Sequence, residues 1–85
     1  MEYKSHKVVP GTDPLANTLE QVEVDSVNWR THLTDGTNNY IKFLPFSEYH
    51  GGGGSYLINI GTSDFDSWIS EHETFEQEVR KILEQ

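Results

Sequence analysis

Eighty-five residues hold one hydrophobic core at most, and the absence of cysteine excludes disulfides, thiolate ligands and thiol nucleophiles. Fourteen acidic against six basic side chains leave a net charge of −8, a field that repels phosphate backbones and favours a basic partner. No apolar run approaches the ~18 residues of a membrane span, and Met1-Glu2-Tyr3-Lys4 lacks the apolar stretch of a secretory leader, so a cytoplasmic location is expected.

In chain order, Tyr3 to Val9 reads as a weakly alternating strand ended by the Pro10-Gly11 turn signal. Asp13-Pro14 has the form of an N-cap followed by proline at the first helical position, and Leu15 and Leu19 support one or two helical turns. A strand from Glu20 to Asp25 follows, with Val22 and Val24 alternating against Glu23 and Asp25; a longer extended segment from Leu19 to Val27 is the alternative. Val27, Trp29, Thr31 and Leu33 alternate with Asn28, Arg30 and His32, which predicts a half-buried strand with Trp29 and Leu33 facing the core. Asp35-Gly36 predicts a two-residue hairpin. Tyr40 to Phe46 carries apolar residues on both faces, as a central strand does, with pairing weakened at Pro45. Tyr56, Ile58 and Ile60 alternate with Leu57 and Asn59 in a third clear strand, and Gly61-Thr62 turns the chain.

Phe65, Trp68, Ile69, His72, Phe75, Val79, Ile82 and Leu83 step by threes and fours, which predicts one helix from about Asp64 to Leu83, started by a capping-box-like Ser63 and Asp66. Acids crowd its first turn, and Arg80 and Lys81 its last, as the macrodipole favours. The expected fold is α+β: a single domain over residues 1–85, with a small antiparallel sheet of three to five strands and one long C-terminal helix packed across one face. Phe65, Trp68, Phe75, Val79 and Ile82 would meet Trp29, Leu33, Phe43, Ile58 and Ile60.

The chemistry-bearing residues form no catalytic pattern. His6, His32, His50 and His72 share no metal-ligand spacing, and the serines stand in no nucleophile-elbow context. Neither a catalytic residue, a metal site nor a cofactor is expected, and the chain is read as a non-enzyme. The run His50-Gly51-Gly52-Gly53-Gly54-Ser55 has three readings: a flexible loop between strands, an engineered linker replacing a native loop, or a ligand-contacting loop. A phosphate cradle is disfavoured, because a strand rather than a helix follows the glycines.

The leading expectation is a small acidic protein-binding module, such as an inhibitor, immunity or phage-type anti-defence protein, that docks on a basic partner surface. Asp66, Glu71, Glu73 and Glu78 on the polar helix face are the candidate contacts; residues 64–85 contribute seven acids and two bases, −5 of the charge. Direct nucleic-acid or membrane binding is not expected. The alternative is a small-molecule-binding domain in which Tyr49, His50, Gly52, Gly53 and Tyr56 form an anchor or ligand loop. Open sheet edges make homodimerisation a further option.

Overall fold

The computed structural model describes residues 1–46 and 54–84. The strands are β1 (Glu2–Tyr3), β2 (His6–Pro10), β3 (Glu20–Asp25), β4 (Arg30–Thr34), β5 (Asn39–Phe43) and β6 (Tyr56–Gly61), followed by helices α1 (Phe65–Glu71) and α2 (Phe75–Leu83). They form one antiparallel sheet in the order β1-β2-β6-β5-β4-β3. The architecture is α+β as expected, with six strands where three to five were expected. The extra strand is β1. It pairs Tyr3 with His6 through a two-residue turn, Lys4-Ser5, in which both residues take positive φ (47° and 72°). That is hairpin geometry normally reserved for Asn and Gly, so residue type announces nothing there.

The single long helix is also corrected: the chain breaks at His72-Glu73-Thr74. His72 leaves helical geometry at φ −132° and ψ 48°, and its Nδ1 donates to the Trp68 carbonyl at 2.8 Å. α1 starts at Asp64, whose carboxylate accepts from the Ser67 amide, rather than at Ser63. The apolar stripe runs unbroken through both helices, which is why its spacing does not reveal the break. The break lies at His and Thr, weak helix formers beside the residues around them.

The core lies between the helices and one sheet face. Ile41, Phe43, Ile58 and Ile60 meet Trp68, Phe75 and Val79, with Tyr3 and Val8 closing one side. Phe75 sets its ring edge-on to both Trp68 and Phe43, each with centroids 5.1 Å away. The Trp68 indole stacks on His72 at 4.2 Å and donates through Nε1 to His6 Nε2 at 3.2 Å. With Nε2 accepting, the His6 proton sits on Nδ1, which donates to the Asn59 carbonyl at 3.0 Å.

The second sheet face is covered in part by residues 11–19, which must cross from β2 to β3 past β6, β5 and β4. Gly11 begins that crossing hard against Ser55, whose Oγ would lie 2.1 Å from any Cβ at residue 11. The crossing contains the expected turn, a 3-10 segment Pro14–Thr18 capped by the Asp13 carboxylate on the Leu15 amide. Leu15 shares a hollow with Tyr40 and Leu57, which are buried on this face.

The β4 alternation is shifted by one residue from the expected frame. Arg30 and His32 face the helices, where Arg30 ion-pairs with Glu76 and His32 stacks flat on Phe65 at 4.4 Å. Thr31 and Leu33 therefore face the opposite way. Trp29 does not join the core: it stands 68% exposed, just outside the strand. The Asp35-Gly36 hairpin is present with a four-residue loop rather than two, its Thr34 paired with Asn39 and its Asp35 carboxylate accepting from the Thr37 and Asn38 amides.

Candidate docking surface

The β3–β4 hairpin carries the candidate surface. Asp25 ends β3, and its carboxylate accepts from the Val27 and Asn28 amides and from Asn28 Nδ2, which folds residues 26–29 into a compact turn. Those bonds, the Asn28 side chain's first, hold the Asp25 carboxyl below its usual range and keep it charged. The turn closes at Trp29 with φ +60°, the left-handed region. For a bulky aromatic that is an outlier, and the conformation costs roughly 1–2 kcal/mol.

Around this turn the apolar surface is left uncovered. Val22 (56% exposed), Val24 (55%), Val27 (84%) and Trp29 are, with Met1, the exposed large hydrophobic residues among those described. Val24 is paired with Thr31 and so lies on the sheet face away from the helices. There it lines a hollow of about 380 Å³ with Trp29, Thr31 and Leu44. A second hollow, of about 310 Å³, continues from Trp29 past Lys42 to Ser55. The opposite side of the same edge is acidic. Glu20, Glu23 and Asp25 are paired with Thr34, His32 and Arg30, residues on the helix side. A bulge between Gln21 and Glu23 resets the alternation, so that all three acids share that side. Buried His32 lies beside Glu23, with Nδ1 3.6 Å from Glu23 Oε2, and neither ring nitrogen has a hydrogen-bond partner among the described residues.

The acidic helix face is partly committed to the fold. Asp66, Glu71 and Glu73 are exposed and form no ion pair among the described residues. Glu76 is held by Arg30, whose Nε donates to Oε1 at 3.0 Å. Glu78 is half-buried and accepts from the Tyr3 hydroxyl at 2.6 Å and from the Thr74 hydroxyl at 3.1 Å. It is therefore not grouped with the other three as a free contact. Of the proposed loop residues, Tyr56 lies half-buried in β6 with its ring 6.5 Å from Phe43. Tyr49, His50, Gly52 and Gly53 lie outside the described residues. Among the described residues no three His, Asp or Glu side chains gather as a metal site, and no helix is long and apolar enough to cross a membrane.

The Tyr3–Glu78 bond makes a prediction. Burial, then the hydrogen bond and charge of Glu78, push the Tyr3 hydroxyl up to about 12. The bond from Tyr3, then that from Thr74, pulls the Glu78 carboxyl below its usual range. A group that ionises at about 10 when unfolded and about 12 when folded contributes stability fully below pH 10, and that contribution is lost as pH rises through 12. The melting temperature of the wild-type protein is expected to fall more steeply between pH 10 and 12 than that of Tyr3→Phe. Parallel curves would show that the hydroxyl is not held as described.

The sequence reading missed Trp29, Val24 and Leu44 as surface residues. The available signal was β3 itself, whose Glu20-Gln21-Val22-Glu23-Val24-Asp25 holds only two apolar residues in six. Comparison with protein-family models, curated proteins and solved structures finds no match for the chain.

Proposed function

We propose that the chain is a small acidic module that binds a protein partner through a basic surface, with the tip and edge of the β3–β4 hairpin as the contact. The observation that carries this reading is Trp29, a large aromatic held outward in a strained conformation beside the exposed Val24. Burying Trp29 elsewhere would stabilise an isolated fold, and strain retained at an exposed residue points to a use for it. Trp is also the side chain most enriched among the few that dominate binding energy. The −8 charge supplies long-range attraction, and the exposed Asp66, Glu71 and Glu73 add to the field without having to touch the partner.

Such a module acts by occupancy rather than by catalysis. An inhibitor, immunity or anti-defence role fits, since covering a basic surface also blocks whatever acidic polymer that surface would otherwise bind. The test is capture from a lysate of the source cells at low and high salt, with wild-type protein and with Asp66→Lys/Glu71→Lys/Glu73→Lys. Basic proteins retained at low salt and released at high salt are expected, with the triple variant capturing more slowly but still capturing. Retention that ignores salt, or a set of captured proteins with no basic bias, would count against the reading.

A further inference from the structure

The β3 strand is the long free edge of the sheet. It is paired with β4 on one side only, and nothing among the described residues covers the other. Along that side every other backbone amide and carbonyl faces outward, the template for an added strand. Natural edges are blunted by charges, above all lysine, by proline, by bulges or by a covering segment; β3 has no lysine or proline along Glu20–Asp25, but it carries three acids, the feature that a basic segment would match. Its one irregularity, the bulge between Gln21 and Glu23, leaves Glu23, Val24 and Asp25 in regular register with β4.

The two sides of this edge differ in chemistry. Glu20, Glu23 and Asp25 stand on the helix side, while Val24 lies on the other side, beside Trp29 and Leu44. An extended chain laid along β3 would present its alternate residues to those two sides in turn. We infer that β3 accepts an extended segment of a partner protein by strand addition, and that the segment alternates basic with apolar residues. Basic side chains would then meet the acids, and apolar ones would meet Val24, at the rim of the hollow that continues inward to Trp29. This inference rests on the docking reading above and specifies its mode: main-chain bonds supply affinity, and the two-sided edge supplies selection.

A second copy of this chain is a poorer occupant. The edge carries three acids and no base, so two copies edge to edge would bring six acidic side chains together. Antiparallel pairing centred on Glu23 sets that residue opposite itself, and pairing centred on Val24 sets Glu23 opposite Asp25. Like charges in those positions oppose association.

The probe is a blocked eight-residue peptide alternating Lys and Val, titrated into the full chain at low salt. Two control peptides accompany it, one with Glu for every Lys and one N-methylated at alternate residues along the edge that would face β3. Affinity is read from Trp29 fluorescence in a Trp68→Phe background of confirmed fold, and the location of binding from amide exchange. The Lys-Val peptide is expected to slow exchange in β3. The Glu and N-methylated peptides are expected to bind at least tenfold more weakly, as is the Lys-Val peptide to Val24→Lys, whose exposed position leaves the melting curve intact.

Equal binding of the N-methylated peptide would overturn strand addition, as would protection confined to α1 and α2, or no binding at millimolar peptide. A free chain that runs as a dimer with β3 already protected would also overturn it, with a second copy as the occupant. Failure here while salt-sensitive capture of a basic partner still depends on Trp29 would remove the strand-addition mode and leave docking intact; loss of both would remove docking as well.

Discussion

Trp68→Ala is expected to lower the melting temperature by about 15 °C or more, and in a fold of ordinary stability to leave a substantial unfolded fraction at 37 °C. Trp68 is 2% exposed and lies at the centre of an aromatic cluster: stacked on His72, edge-on to Phe75 and hydrogen-bonded to His6. Truncating a buried Trp costs about 3–5 kcal/mol. A chain of this length has roughly 4–13 kcal/mol in total. For a small domain each kcal/mol is worth about 4–8 °C. The cost includes more than volume, because His6 Nε2 would lose the donor that fixes its tautomer, and the imidazole would face a cavity. Trp68→Phe should recover much of the packing without the hydrogen bond, and so melt between the two. The measurement is thermal unfolding followed by circular dichroism. An unchanged melting curve for Trp68→Ala would mean that the helices do not pack on the sheet as described.

The elements that were legible in the sequence are those whose burial is decided locally. The stripe from Phe65 to Leu83 marks a buried helical face whether the helix is whole or broken, so Trp68, Phe75 and Val79 are identified while the break at His72 is not. β5 and β6 were legible because Ile41, Phe43, Ile58 and Ile60 leave no solvent-exposed alternative. β4 misled, since Thr31 and Leu33 lie on the less buried side, while Val27 and Trp29 belong to the turn before the strand. Arg30 and His32 turn inward because Glu76 and Phe65 await them, and those partners are distant in sequence. The acidic helix face was legible as composition only. Which of its acids are engaged depends on Arg30 and on Tyr3, the latter 75 residues from Glu78. The Lys4-Ser5 turn was hidden for another reason: its residues are not the ones such a turn prefers, and pairing of β1 with β2 holds them there.

Trp29, by contrast, is expected to matter little to folding and a great deal to binding. Its buried third is about 80 Å² of a side chain of roughly 250 Å². At ~25 cal/mol/Å² that contributes about 2 kcal/mol. Replacing it with glycine forfeits that amount and adds roughly 0.5–1 kcal/mol of backbone entropy, while releasing about 1–2 kcal/mol of left-handed strain. A net cost of about 0.5–2 kcal/mol remains, so Trp29→Gly should stay folded and melt about 2–16 °C below wild type. Loss of an aromatic anchor at a protein interface typically costs 2 kcal/mol or more, about 30-fold in Kd. The proposed docking role is thus tested at one tryptophan and the packing of the fold at the other.

The direct test is to measure, on one preparation of Trp29→Gly, the melting curve and the retention of the basic partner that the wild-type protein captures at low salt. The expected result is a cooperatively folded variant melting no more than about 16 °C below wild type, with retention reduced about 30-fold in affinity. Retention equal to wild type by the folded variant would show that Trp29 is not the anchor.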